Sequence, residues 1–190
     1  METRRQLVHI FVGILMIAFA LLVYQSAPTS WKEIVEAALI IFLLLGLVII
    51  DLKLKRVKIT VVDWLLDVFE RPNIMPAHGA LWYWVGAMLL ISFTSGTRQF
   101  CSGIFILSIG DGISTIIGKR FGNHPLPHNK NKTWEGTATF FLASLPAYFF
   151  IGAAAFPLAL LCALVESMNL HIDDNFTIPL ACVLFFQFIA

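Results

Sequence analysis

Five carboxylates stand out from a largely apolar chain: Asp111, Glu135, Glu166, Asp173 and Asp174. Four basic residues, Lys119, Arg120, Lys130 and Lys132, fall between the first two of them. Carboxylate oxygens are hard ligands that hold Mg²⁺ through one or two contacts while substrate phosphates complete the shell. Lysine and arginine neutralise phosphates, and glycines such as Gly110, Gly112 and Gly118 let backbone N–H groups approach them. Together these residues are the inventory of a metal–nucleotide site. Taken singly, most of the acids have a structural reading. Glu135 opens an apolar run, where the helix dipole favours a carboxylate, and Thr133 would cap that helix. Asp173, Asp174 and Asn175 stand where N-caps stand, before another apolar run. Asp111 is different, because it lies inside an apolar run, where charge is expensive. Gly110 and Gly112 flank it, and each glycine weakens a helix by about 1 kcal/mol. That pattern predicts a break or a close-packed point where a carboxylate meets water, a cation or both.

The Gly118–Lys119 pair invites comparison with the Walker phosphate loop, and the comparison fails. Gly112 and Gly118 are one residue too far apart, Arg120 stands where the metal-binding hydroxyl belongs, and no strand precedes the loop.

The elements that must position these groups follow from hydropathy. Of the 190 residues 58% are apolar and 13% charged, against about 25% charged in a soluble domain. Apolar runs near or beyond about 18 residues mark membrane spans. They can be drawn over 7–24, 34–50, 77–93, 100–117, 134–150, about 155–168 and 176–190, the ends of the sixth being least defined. The expected fold is all-α: a single integral-membrane catalytic domain over 1–190, a polytopic bundle of about seven spans. The first run is too long for a secretory signal core and reads as a retained helix. Near residues 57–71 an interfacial amphipathic helix is expected, with Val61, Trp64, Leu65 and Val68 on one face, Asp63, Asp67 and Glu70 elsewhere, and Pro72 ending it.

Every Lys and Arg except Lys32 and Arg98 falls in the N-terminal tail or in segments 51–76, 118–133 and 167–175. Basic residues gather on the cytoplasmic side, which puts the N-terminus and all five acids inside. Cys101, Cys162 and Cys182 lie in apolar runs without metal or disulfide spacing and read as small buried residues. His9, His78, His124, His128 and His171 show no metal-ligand pairing. Hydrogen-bonding or solvated roles fit them, with His9 near enough to the inner face to serve the site.

The stretches GDGISTIIGKRFGNHPLP, NKTWEGT and LVESMNLHIDDNFTIPL resemble, in that order, the signatures of the CTP-dependent lipid-alcohol kinases. That family includes dolichol kinase, phytol kinase and CTP-using diacylglycerol kinase. The N-terminal RRQLVH is similar to the family's basic-plus-His start. The resemblance covers mainly the C-terminal half. Trp134 is bulkier than the usual residue at its position, and Asp173 doubles the acid before Asn175. The resemblance implies transfer of the γ-phosphoryl group of CTP to the hydroxyl of a membrane lipid alcohol, with Mg²⁺ as cofactor and CDP as product. An isoprenoid alcohol of polyprenol or dolichol type is the expected acceptor, with diacylglycerol as the other choice. By position, the catalytic set would be Asp111, Lys132, Glu135, Glu166 and Asp174, with Asp111, Glu166 and Asp174 also holding the metal. Gly110, Gly112, Gly118, Lys119, Arg120, Lys130 and Asn175 would bind the nucleotide. The expected setting is a prokaryotic plasma membrane, or the endoplasmic reticulum in a eukaryote, with the site facing the cytoplasm. No nucleic-acid partner is expected, and a homodimer stays open.

Two rivals remain. A CTP:lipid-phosphate cytidylyltransferase would use the same donor, but its glycine- and His-rich late signature is absent. A transporter would place polar groups at the midplane in repeated halves, whereas here they collect at one face and no repeat is visible. The aromatic run LWYW at the start of the third span reads as an interfacial anchor.

Overall fold

The computed structural model describes residues 2–69 and 77–189. It is a helical bundle, and among the described residues the β-type pairing is one isolated bridge, Pro125 to Thr133. The elements are α1 (Glu2–Ser26), α2 (Trp31–Leu54), α3 (Thr60–Phe69), α4 (His78–Phe93), α5 (Thr97–Phe121), α6 (Trp134–Ser144), α7 (Ala155–Ser167) and α8 (Asp174–Ile189).

Among the described residues four segments are long and apolar enough to cross a membrane: α1, α2, α5 and the stretch Trp134–Ser167, while α4 and most of α8 are shorter apolar helices. The stretch Trp134–Ser167 is two helices rather than one. The helix from Trp134 tightens to a 3₁₀ turn over Leu145–Ala147, at Pro146, resumes over Tyr148–Ile151 and ends at Gly152, whose φ of +60° other residues rarely take. The chain reverses there. Lys132, just before α6, consequently bonds Glu166 at the end of α7. The two expected runs at 134–150 and 155–168 are the arms of this hairpin.

Apolar side chains on α1 and α2 point outward, with Phe11, Leu22 and Val48 all more than half exposed. In water such faces would be a liability; in lipid they are the solvent-facing side. Helix α5 is the core: 67% of its apolar window is buried, against 22% in α1 and 17% in α2. Its small residues let neighbours close in. A Cβ at Gly103 would stand 2.5 Å from Leu90 Cδ2, one at Gly110 2.4 Å from Ser144 Oγ, and one at Gly112 2.6 Å from Ile10 Cγ1. The glycines around Asp111 are therefore close-packing points between helices. Gly110→Ala should cost about 1–3 kcal/mol, as overpacking does, read as a lower midpoint of thermal unfolding in detergent.

The close-packed point expected at Asp111 is present, but α5 is not broken. It takes a single π-turn over Ile106–Gly110 and continues as α-helix from Asp111.

Helix α3 starts at Thr60, later than expected, because residues 57–59 are drawn back onto the end of α2. Val57 N–H donates to Leu52 O at 3.0 Å, and Lys53 Nζ donates to Val57 O at 2.8 Å. Asp63 pairs with Lys53 and accepts from Ile59 N–H at 3.0 Å, leaving Val61, Trp64 and Leu65 as an exposed apolar face. The side chains of Asp67 and Val68, the residues Glu70, Arg71 and Pro72, and Ala190 lie outside the described part. Tyr83 of the aromatic run is not an interfacial anchor. It is buried, and its hydroxyl meets Ser108 Oγ at 2.9 Å.

Candidate active site

At one end of the bundle the start of α1, the end of α5, the start of α6, the end of α7 and the start of α8 enclose a cavity of about 440 Å³. That falls within the roughly 300–1,000 Å³ typical of small-molecule sites.

Three carboxylates meet there. One oxygen each of Asp111, Glu166 and Asp174 lies within 4.8 Å of the others. Asp111 and Glu166 are buried. The local sequence explains the convergence. Asp111 follows the π-turn, Glu166 is the penultimate residue of α7, and Asp174 opens α8. Lys132 closes the group, with Nζ 2.5 Å from Glu166 Oε1 and 2.8 Å from Asp174 Oδ2. Burial alone would lower the pKa of this ammonium. The pull of Glu166, Asp174 and Asp111 outweighs it and holds the pKa above its ordinary value.

The balance of charge and hydrogen bonds is incomplete. Three carboxylates face one ammonium. Glu166 Oε2 is buried with no hydrogen-bond partner, and Asp111 Oδ1 has only Thr115 Oγ1, at 3.5 Å. A buried carboxylate oxygen without a donor is costly, and a divalent cation would satisfy it. Hard oxygen donors in this number fit Mg²⁺.

The loop between α5 and α6 holds Lys132 in place. Leu126 is buried, Leu126 N–H donates to Lys132 O at 2.9 Å, and Lys132 N–H donates to Asn129 O at 3.1 Å. Asn129 Nδ2 donates to Ser167 O and Met168 O, both at 3.2 Å, clamping the loop onto the end of α7. Thr133 caps α6 by accepting from Gly136 N–H at 3.2 Å, as the sequence suggests.

Of the residues singled out in the sequence, Asp111, Lys132, Glu166, Asp174, Lys119 and Asn175 line the cavity, with Gly118 and Asp173 beside them. Glu135 does not. Its carboxylate turns to the loop, meeting His124 Nδ1 at 2.6 Å and accepting from Asn123 and His124 N–H at 3.2 and 3.3 Å. Gly110 and Gly112 pack against neighbouring helices and do not line it. Arg120 is exposed over the Phe121 ring, and Lys130 is exposed on the loop.

Arg5 and Gln6 of α1 line the cavity as well. In the sequence both fall within RRQLVH, the stretch similar to the family's basic-plus-His start, but nothing there marks either as a site residue. Glu2 pairs with Arg5 and, at 2.9 Å, with Lys119, so α1 is tied across the mouth. Ser114, Thr115 and Thr137 also line it. No sequence signal separates such hydroxyls from ordinary helix residues. Asn175 Nδ2 donates to Gly79 O at 3.4 Å, fixing the start of α8 against α4.

Among the histidines, His78 lies 3.8 Å from Asp173 Oδ2, His124 is taken by Glu135, and His128 and His171 are exposed. All three cysteines are buried and free, although Cys162 and Cys182 approach to 3.6 Å between α7 and α8.

An all-helical membrane protein with a carboxylate–lysine cavity at one end of its bundle is the class that fold and site define. The chain is 32% identical over 181 residues to an uncharacterized protein of Methanocaldococcus jannaschii, covering 94% of this chain and 88% of that one. It is 33% identical over 129 residues to the probable chloroplastic phytol kinase 1 of Oryza sativa subsp. japonica. It is 34% identical over 96 residues to the chloroplastic farnesol kinase of Arabidopsis thaliana. The chain spans 40% and 31% of the lengths of those two kinases. It belongs to one family with the archaeal protein, and over part of its length it is similar to the phytol and farnesol kinases. No family model matches the chain. No solved structure matches it.

Proposed function

We propose that the protein phosphorylates the hydroxyl of a membrane isoprenoid alcohol, with CTP as donor and Mg²⁺ as cofactor, at a site facing the cytoplasm. The observation that carries this reading is the buried Asp111–Glu166–Asp174 cluster with its orphaned Glu166 oxygen, set in a cavity with Lys132 and Lys119. The phytol and farnesol kinases supply the acceptor class.

Phosphoryl transfer asks the protein for positioning and charge neutralisation more than for covalent chemistry. Asp111, Glu166 and Asp174 would hold the cation, which when bound neutralises charge on the donor phosphates. Lys132, already oriented by two carboxylates, lies next to the transferred group and balances its developing charge. Lys119 and Arg5 at the mouth exchange their contacts with Glu2 for phosphate oxygens. The lipid tail stays in the bilayer beside the bundle, and its hydroxyl reaches the cavity at the membrane surface. One of the cluster's carboxylates takes the hydroxyl proton.

The test is incubation of the purified protein with γ-labelled CTP and a panel of lipid alcohols. Labelled lipid phosphate and CDP are expected, with an isoprenoid alcohol preferred over diacylglycerol. Pyrophosphate with a CDP-lipid would establish a cytidylyltransferase instead, and equal labelling from ATP would remove the nucleotide assignment.

A further inference from the structure

Asp111 owes its position to an irregularity. In an unbroken α-helix its backbone N–H would donate to Leu107 O, four residues back. Here the Asp111 N–H is shared between Ile106 O, five residues back, and Ser108 O, three back, and bypasses the Leu107 carbonyl. A carbonyl released in a helix core is costly unless something else donates to it. The donor comes from another helix: His9 Nε2 on α1 lies 3.1 Å from Leu107 O. Because a carbonyl only accepts, the imidazole must carry its proton on Nε2.

The ring is itself held in place. It packs edge-on against Tyr83, centroid to centroid 4.5 Å, and Tyr83 bonds Ser108, the next residue of the π-turn, at 2.9 Å. Room for this comes from Gly13, where a Cβ would lie 2.1 Å from Ser108 Oγ. A π-turn adds a residue to the helical register and so rotates everything beyond it. Without that rotation the residue at position 111 would face a different neighbour. Single π-turns of this kind are frequent at functional sites.

We propose that His9 is a positioning residue. By donating to the Leu107 carbonyl it maintains the π-turn that aims Asp111 at Glu166 and Asp174. The inference rests on the reading of those three acids as a cation site, and its effect is read on cation binding in the absence of nucleotide and lipid.

The experiment is Mn²⁺ binding, by electron paramagnetic resonance, to the purified wild type and two variants. His9→Phe keeps a ring against Tyr83 but has no donor; His9→Gln keeps an N–H donor on a flexible arm. His9→Phe should bind Mn²⁺ roughly 10–100-fold more weakly, the loss typical of removing an outer-shell partner. His9→Gln should regain most of the affinity, and both should keep wild-type helix content. If His9→Phe does not fold, His9→Ala takes its place in the same comparison. Wild-type affinity in the donorless variant overturns the role of His9 while leaving the cation site standing. Failure of His9→Gln to recover affinity when His9→Phe has lost it also overturns it. A wild-type protein that binds no Mn²⁺ overturns the cation site, and the inference with it.

Discussion

Asp111→Asn will leave the bundle assembled and slow lipid phosphorylation by at least about a hundred- to a thousandfold, the range for losing one preorganised electrostatic contact in a transition state. The substitution is nearly isosteric, so Gly110 and Gly112 keep their contacts with Ser144 and Ile10. The buried side chain has only a long contact with Thr115, so an amide strands no ionic partner. It removes one of the three negative charges of the Asp111–Glu166–Asp174 cluster, and with it much of the attraction for a divalent cation. Turnover of γ-labelled CTP into lipid phosphate, with Mg²⁺ titrated through the millimolar range, checks this. Activity should remain depressed at saturating Mg²⁺. Wild-type turnover in Asp111→Asn would remove the acid from the mechanism.

Lys132→Met has a different signature, because it acts on stability as well as rate. The ammonium is bonded to two carboxylates, one of them almost fully buried. Removing one partner of a buried ion pair strands the other and costs about 3–5 kcal/mol. Lys132→Met is therefore expected to unfold at markedly lower temperature in detergent and to lack kinase activity. The stability loss should shrink as pH falls, since protonation of Glu166 and Asp174 removes the charges that the ammonium had balanced. Adding Glu166→Gln should recover part of the stability and none of the activity. A fully stable Lys132→Met protein would show that the three acids are solvated or cation-bound whenever the protein is folded.

The apolar runs and the sorting of charge made the bundle and its polar end readable, because lipid leaves a chain few alternatives. Asp111 was conspicuous for the same reason: a carboxylate inside an apolar run demands an explanation. Lys132, Glu166 and Asp174 became conspicuous only as a set, and the structure brings them to one cavity with Asp111. Other features depended on partners far away in sequence. Glu135 was a candidate acid by position, but the loop folds back and gives it His124 as a partner. Gly110 and Gly112 suggested phosphate contact, yet what they accommodate is Ser144 and Ile10, which spacing cannot reveal. The π-turn depends on a histidine from α1, nearly a hundred residues earlier, and no local pattern announces it. Gln6 and Thr137 look like any polar residues near a helix end.

Assembly of the cavity from both α1 and α8 bears on how the protein is made. Arg5 and Gln6 emerge from the ribosome first, whereas Asp174 and Asn175 emerge only after every other helix that lines the site. The carboxylate cluster cannot form until α8 has been released into the membrane and has docked on α4. Until then Asp111, Glu166 and Lys132 must wait in a half-built bundle without their last neighbour. A translation product stopped before α8 would be an inserted protein with no site at all. Completion of the carboxylate cluster thus follows the docking of α8 on α4, and cation binding would report that step of membrane insertion.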